Sequence, residues 1–220
     1  MTESKGNIGA FRIMPLLTKS MTNTPLLSIR NYYRRMDRIF EKEDLNLENE
    51  LYKIEMADEG DAKESDIFFH GMRVASHEFA KSSFYSSAVL GVYAGFENTL
   101  ERVIVQLSDI DKIERVKKNN LSNIDALKVT LERHFAFNFD TSLWEEVSDF
   151  RKLRNAIAHN GGVISEKDRG EGLTQRLDGV YERDNGLEIT MSYIENVIAL
   201  LDSFFKILNG EIKRVYDKIS

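Results

Sequence analysis

Apolar residues recur every three to four positions along most of the chain, a spacing that predicts α-helices. The most regular stretch covers residues 84–107. Its apolar stripe consists of Tyr85, Ala88, Val89, Val92, Phe96, Leu100, Val103 and Leu107. Less regular stretches predict helices over residues 27–57, with a break near Asp44, and over residues 66–79. We expect residues 1–25 to form an arm or a loosely held segment.

Capping motifs indicate where the later helices begin and end. A serine followed three residues later by an acidic residue is typical of a helix start, and this pattern opens three segments. These segments begin at Ser122, Ser142 and Ser192. We therefore predict a short helix over residues 123–134, a second helix that ends at Asn160-Gly161-Gly162, and a long closing helix. Between the last two helices, the turn sequence Asp184-Asn185-Gly186 predicts a β-hairpin over residues 179–190.

Composition narrows the fold class. The chain has 220 residues but only two prolines, Pro15 and Pro25, and few of the turn clusters that an all-β domain needs. We therefore predict an all-α protein, a compact up-and-down helical bundle with the short β-hairpin before its C-terminal helix. Residues 61–220 would form this bundle. Residues 1–60 would form an N-terminal arm and a first charged helix, a candidate for regulation or for exchange between subunits.

The absence of cysteine and the net charge of −6 exclude several function classes. Without cysteine there is no disulfide scaffold, thiol nucleophile, iron–sulfur cluster or Cys-type zinc site, and a reducing compartment is favoured. Residues 1–24 lack the apolar core of a secretory signal, and no apolar run approaches the length of a membrane span. We therefore expect a cytoplasmic protein. An acidic chain disfavours sequence-blind binding to nucleic acid but is compatible with a local basic patch.

One arginine interrupts the apolar stripe of the helix that ends at His159. The stripe consists of Leu143, Val147, Phe150 and Ile157. On a wheel of 100° per residue, Arg154 lies in the middle of this stripe. A guanidinium there must reach solvent, pair with an acid or face a cleft that receives an anion, since an unpaired buried charge is costly. The sequence alone leaves these three alternatives open.

A polar and basic edge runs along the same helix. Arg151, Asn155 and His159 follow one another at spacings of four, so their side chains lie along one edge towards the helix C-terminus. Histidine is well suited to proton transfer at neutral pH, and arginine is suited to binding phosphate oxygens. With Lys152 and Arg154 nearby, this edge is a candidate site for a phosphodiester. The alternative is a histidine that caps the helix, with solvated arginines around it.

The string Arg154-Asn155-Ala156-Ile157-Ala158-His159 resembles the signature of HEPN domains, which is an arginine, a polar residue, three further residues and a histidine. The setting is also similar, because in that family the motif ends a helix of a compact bundle. The resemblance covers roughly residues 66–219, and the long helix that carries Phe96 and Glu97 resembles the family's earlier core helix. Residues 1–60 resemble no family.

Similarity to HEPN domains implies metal-independent RNA cleavage, often by toxins or antiviral effectors. Carried over to this chain, Arg154 and His159 would be the catalytic pair, and Asn155 the polar residue that orients them. Arg151 and Lys152 are candidate RNA contacts. Glu97 is a candidate partner for Arg154, although solvation at the edge of the core explains it equally well.

The expected reaction is attack of the substrate's own 2′-hydroxyl on the adjacent phosphorus, which leaves a cyclic phosphate and a free 5′-hydroxyl. We expect no metal and no other cofactor. Because the reaction needs a base and an acid while one motif supplies one histidine, we expect a homodimer with a composite site. RNA would be the substrate and a cognate antitoxin a candidate partner, whereas DNA and membranes are not expected. The alternative is a non-catalytic HEPN-like module that binds a nucleotide or assists assembly, for example with a nucleotidyltransferase.

Other residues that often carry chemistry have simpler explanations. His70 and His77 are seven apart, whereas metal sites on helices prefer spacings of three or four, so we interpret both as ordinary helix residues. His134 ends a helix, and we interpret it as a C-terminal cap. The run of arginines over residues 30–38 is compatible with RNA steering, but the acidic residues beside it favour a solvated face.

Overall fold

The computed structural model describes residues 7–57, 60–111, 122–183 and 186–219. These residues form an all-α bundle with one small antiparallel sheet, as predicted. The helices are α1 (Asn7–Glu55), α2 (Asp61–Asp111), α3 (Asn123–Phe135), α4 (Thr141–His159), α5 (Glu166–Gly170), α6 (Leu173–Arg176) and α7 (Met191–Ile219). The sheet consists of β1 (Val180–Arg183) and β2 (Gly186–Ile189), which precede α7.

The first helix is longer than the apolar pattern predicts. It begins at Asn7, so most of the segment expected to be an arm is helical, and it continues through Asp44, where a break was expected. Asp44 accepts hydrogen bonds from His77 and Lys81 of α2. Near its middle, α1 also binds α7, through an ion pair between Arg34 and Glu195. Contacts with both helices hold this part of α1 against the bundle, and the predicted break near Asp44 is wrong for this reason.

The two helices predicted over residues 66–79 and 84–107 are one helix in the structure. α2 runs from Asp61 to Asp111 without interruption. The residues between the two predicted helices include neither proline nor glycine, so nothing in their backbone ends a helix. Lys81, in this interval, also binds Asp44 of α1 at 2.8 Å. The apolar pattern weakens over residues 80–83, but the helix continues through them.

The core lies between the C-terminal half of α2 and the helices α3, α4 and α7. Phe96 of α2 contacts Phe204 of α7 edge to face, with ring centroids 5.1 Å apart, and Phe139 stacks on Phe204 at 5.3 Å. Phe150 of α4 packs against Tyr93 of α2 at 5.4 Å. All five side chains are buried. Their packing fixes α4, the helix that carries the motif, against α2.

The helix starts agree only in part with the capping pattern. Ser122 caps α3 as predicted, and its hydroxyl accepts a hydrogen bond from the N–H of Asp125. α4 is capped by Asp140, whose carboxylate accepts hydrogen bonds from the first N–H groups of the helix, so the prediction of Ser142 as its cap is wrong. A carboxylate two residues earlier reaches the same N–H groups and also suits the positive end of the helix dipole.

The closing helix begins slightly earlier than predicted. α7 starts at Met191, before Ser192, so Ser192 is not its cap. Thr190 takes this position instead, because its hydroxyl accepts a hydrogen bond from the N–H of Tyr193 at 3.5 Å. Thr190 is thus the single residue between β2 and α7.

The predicted β-hairpin is confirmed. Val180 pairs with Ile189 and Arg183 with Gly186 in an antiparallel register. Residues 184 and 185 of its predicted turn lie outside the described residues. Elsewhere in the described ranges, no helix combines the length and the apolar content that a membrane crossing needs.

Candidate active site

α4 ends at an exposed corner where two glycines turn the chain. Gly161 and Gly162 have φ angles of +60° and +82°, a left-handed conformation that glycine adopts without strain. The N–H groups of Asn160 and Gly162 both donate to the carbonyl of Ala156, at 3.1 and 3.0 Å. The helix therefore stops directly after His159, whose side chain is exposed.

Three side chains of α4 meet at this corner. Nη1 of Arg154 donates a hydrogen bond to Oδ1 of Asn155 at 3.0 Å and lies 3.3 Å from Nε2 of His159. Asn155 and His159 are exposed, and Arg154 is partly buried. The three candidate catalytic residues thus form one group, which we call the Arg154 cluster.

The contact between Arg154 and His159 specifies which imidazole nitrogen carries the proton. An arginine N–H group can only donate, so Nε2 of His159 must accept, and the proton of the neutral ring lies on Nδ1. Nε2 regains a free lone pair when the guanidinium turns to another acceptor. In this tautomer Nε2 is the nitrogen with a lone pair that can accept a proton.

A buried tyrosine supports the Arg154 guanidinium. Its central carbon lies 5.2 Å from the centroid of the Tyr93 ring, which is a cation–π distance. Burial, together with the negative charge of Glu97, raises the pKa of Tyr93 to about 12, so the Tyr93 hydroxyl stays protonated at neutral pH. Tyr93 in turn packs against Phe150, which lies in the core. The guanidinium thus lies over a buried aromatic ring, and its Nη1 group reaches the exposed side chains of Asn155 and His159.

The charge of Arg154 has no acid partner in the described part of the chain. Its recorded contacts are the Asn155 oxygen, the His159 nitrogen and the Tyr93 ring, and none of these carries a negative charge. The sequence left three alternatives for Arg154: reaching solvent, pairing with an acid or receiving an anion. The described residues provide no acid, so Arg154 is either solvated or available to an anion.

Glu97 does not pair with Arg154, so that prediction is wrong. The carboxylate of Glu97 accepts a hydrogen bond from Nδ2 of Asn123 at 2.6 Å. Asn123 is the first residue of α3, and it reaches Glu97 because α3 packs against α2. This hydrogen bond therefore joins the start of α3 to α2.

The other two basic residues of α4 are bound within the protein. Arg151 binds Asp125 and the hydroxyl of Ser122 at the start of α3. Lys152 binds Glu171 at 2.9 Å, and this hydrogen bond raises the pKa of Lys152 despite its partial burial. Carboxylates thus neutralise the charges of Arg151 and Lys152, so their surroundings do not favour the predicted RNA contacts. Of the predicted polar and basic edge, Asn155 and His159 stay exposed, with Arg154 beside them.

The sequence did not predict two structural features around α4. Tyr93 carries no signal of what its ring supports, because an aromatic residue in an apolar helix is usually only a core residue. The second feature is an ion pair in which Asp149, buried in α4, accepts hydrogen bonds from Nε and Nη2 of Arg176 at 2.6 and 2.9 Å. This pair ties α6 to α4 and leaves the exposed corner at His159 free.

A group of side chains between α1 and α2 has metal-like spacing. Asp44, His77 and Glu78 offer ligand atoms that all lie within 4.8 Å of one another. However, Nε2 of His77 and Nζ of Lys81 already bind the two carboxylate oxygens of Asp44, at 2.7 and 2.8 Å. A lysine ammonium at that place repels a metal cation, so we interpret the group as an ion-pair cluster that joins the two helices.

No family model, curated protein or solved structure matches the chain.

Proposed function

We propose that the protein is a metal-independent endoribonuclease and that the Arg154 cluster is its active site. The observation that carries this proposal is the meeting of three groups at one exposed helix end: a carboxamide, an imidazole and a guanidinium that has no acid partner among the described residues. The resemblance of residues 154–159 to the HEPN signature also supports it. The same resemblance suggests a toxin or phage-defence effector, held in check by a cognate antitoxin.

The first step is binding of a phosphodiester to Arg154. A phosphate is a stronger acceptor for the guanidinium than a carboxamide or a neutral imidazole, because the hydrogen bonds are charge-assisted. The Tyr93 ring holds the guanidinium in place while its N–H groups change partners. When the phosphate takes Nη1, the nearby Nε2 of His159 is released beside it.

The chemical step uses that released nitrogen. Nε2 of His159 takes the proton of the substrate's 2′-hydroxyl, and the 2′-oxygen forms a bond to the adjacent phosphorus. Arg154 stabilises the additional negative charge on the phosphoryl oxygens. The bond from phosphorus to the 5′-oxygen then breaks, and this oxygen receives a proton from an acid. The products are a 2′,3′-cyclic phosphate and a 5′-hydroxyl.

We assign the acid to His159 of a second subunit. Each chain has one Arg154 cluster, so a two-fold pairing of α4 ends would supply both proton-transfer groups in one cleft. If activity requires two intact copies, mixing wild-type protein with His159→Ala protein should depress activity as the square of the wild-type fraction. A linear decline would indicate one independent site per chain.

Incubation of purified protein with RNA in the presence of a chelator tests the proposed activity. We expect cleavage by the wild-type protein and at least a hundredfold loss for His159→Ala. His134→Ala is the matched control, because His134 is also an exposed histidine in the last turn of a helix. Equal activity of the two variants would assign cleavage to another site or to a contaminant. No cleavage by correctly folded wild-type protein would favour the non-catalytic module.

A further inference from the structure

Large apolar side chains are exposed on the N-terminal half of α2. Phe68, Phe69, Met72 and Phe79 expose 65, 59, 57 and 75% of their surface. Taking about 200 Å² for each whole side chain, these four leave roughly 500 Å² of apolar surface in contact with water. A contiguous patch of this size is at the upper end for a monomer and marks an interaction site.

Phe68, Met72 and Phe79 belong to a heptad pattern along α2, and Phe69 lies beside it. Six positions on one side of α2, alternately three and four residues apart, form what we call the outer seam. They are Ser65, Phe68, Met72, Ala75, Phe79 and Ser82. All six are exposed and none is charged. This spacing and composition are typical of a helix that packs along a second helix.

The opposite side of α2 is the more polar of the two, although it is the side that contacts α1. His70 lies 3.4 Å from Glu50, and His77 and Lys81 bind Asp44 at 2.7 and 2.8 Å. Hydrogen bonds of the two histidines and the ion pair between Lys81 and Asp44 therefore join this part of α2 to α1, while the apolar outer seam faces solvent. Burial of the outer seam needs a partner beyond the contacts that α1 makes.

We propose that the outer seam binds the outer seam of a second copy of this chain, with the two α2 helices antiparallel. Two copies of the three large seam side chains, Phe68, Met72 and Phe79, contribute about 800 Å², and Phe69 beside the seam raises the apolar total to about 1,000 Å². The small residues between them bring the contact to about the lower end of the range of roughly 1,200–2,000 Å² that specific protein interfaces bury. A second copy therefore supplies a surface of comparable size.

The order of large and small residues along the seam also favours self-association in this direction. In the antiparallel register centred between residues 73 and 74, Phe68 faces Phe79 of the partner subunit and Met72 faces Ala75 of the partner subunit. Ser65 and Ser82 close the two ends. A parallel pair would place Ala75 against its own copy and leave a gap beside two large layers, which packs less well. The antiparallel contact is also isologous, as a two-fold dimer requires.

This contact is distinct from the pairing of α4 ends and does not rest on the proposed ribonuclease activity. Tyr93, beneath the Arg154 cluster, lies about 20 residues along α2 from the centre of the seam. At about 1.5 Å per residue, the two clusters in the antiparallel pair would be roughly 60 Å apart along the helix axis. The outer seam would therefore join protomers without bringing their Arg154 clusters together.

Disulfide cross-linking tests the contact and its direction, since the chain has no cysteine of its own. We expect a mixture of Ser65→Cys and Ser82→Cys proteins to form cross-linked dimers, and neither protein to do so alone. In the antiparallel register two copies of residue 65 are roughly 25 Å apart along the axis, whereas a disulfide needs Cα atoms within about 7 Å. Absence of the mixed cross-link would overturn the proposal, and efficient cross-linking of Ser65→Cys alone would overturn its antiparallel direction.

A charge placed on the seam provides the second test. We expect Phe79→Glu, introduced into both cysteine proteins, to reduce the yield of mixed cross-link at least tenfold. Tyr52→Glu is the matched control, because Tyr52 is an aromatic residue of α1 that is 60% exposed and lies outside the seam. Its yield should be unchanged. Equal yields for the two variants would contradict the contact, whatever the outcome of the RNA assays.

Discussion

Replacement of Arg151 or Arg154 by leucine separates a structural arginine from a functional one on the same helix. The two residues are three apart in α4, but their surroundings differ. Arg151 binds Asp125 and Ser122 of α3, whereas Arg154 lies over Tyr93 without an acid partner among the described residues. We expect Arg151→Leu to reduce stability and Arg154→Leu to abolish RNA cleavage without loss of stability.

The expected cost of Arg151→Leu follows from the burial of its ion pair. The side chains of Arg151 and Asp125 are 21% and 26% exposed. Loss of a hydrogen bond to a charged group costs about 1.5–3 kcal/mol, and the substitution leaves the Asp125 carboxylate without its cationic partner, with hydrogen bonds from Ser122 and Trp144 remaining. We expect a loss of about 2 kcal/mol in the free energy of unfolding. In a chain of this length, this lowers Tm by roughly 4–8 °C.

The expected cost of Arg154→Leu is close to zero. The substitution removes a cation–π contact worth about 0.5–1 kcal/mol at an exposed site, and the leucine gains apolar contact with the Tyr93 ring. The free energy of unfolding should therefore stay within about 1 kcal/mol of the wild-type value. The loss in RNA cleavage should be a hundredfold or more, because the guanidinium is the group that stabilises the transition state.

Urea denaturation followed by tryptophan fluorescence measures both stabilities. The single tryptophan, Trp144, packs against Phe139 and Phe204 of the core, so its emission reports on the bundle. A loss of more than 2 kcal/mol for Arg154→Leu would show that this arginine is structural. Wild-type stability for Arg151→Leu would refute the role assigned to its ion pair.

Three further predictions follow from individual contacts. Tyr93→Phe should keep RNA cleavage near the wild-type level because the ring under Arg154 remains, whereas Tyr93→Leu should reduce it on the order of tenfold to a hundredfold in the same assay. Burial opposes ionisation of Asp125, but the hydrogen bonds from Ser122 and Arg151 outweigh it and hold the pKa below its ordinary value. Its contribution to stability should therefore be complete at neutral pH and be lost as the pH falls below about 4, and Asp125→Asn should flatten this part of the stability profile measured by denaturation. Gly161→Ala should lower the free energy of unfolding by roughly 1–2 kcal/mol because φ is +60° there, while Gly71→Ala, in the interior of α2 with equal space around its Cβ and no positive φ, should not.

The sequence predicted the bundle and the motif helix because both depend on local signals. The stripe over residues 84–107 is core in the structure, and Asn160 and the glycines after it end α4 as expected. The extent of α1 and α2 could not be predicted in the same way. Their continuity through Asp44 and Lys81 depends on side chains that bind across the two helices, which no local pattern contains.

The same distinction between local signals and contacts between helices applies to the candidate site. Arg154, Asn155 and His159 meet because their spacing on one helix brings them together, and helical geometry is predictable from the sequence. The partners that come from other helices were not predictable. Tyr93 lies 61 positions before Arg154, and Glu97 binds Asn123 instead of the arginine, since only the packing of α2 against α3 decides which donor it reaches.

Cleavage of a short RNA with a single 2′-deoxy nucleotide at the scissile position tests the central claim most directly. The proposed reaction begins with attack by the 2′-hydroxyl at that position, so its removal should prevent cleavage there. The unmodified RNA should be cut in the presence of a chelator and should carry a 2′,3′-cyclic phosphate, which mass spectrometry of the fragments identifies. Cleavage at the 2′-deoxy position, with fragments that end in a 3′-hydroxyl and a 5′-phosphate, would contradict the role assigned to Arg154 and His159.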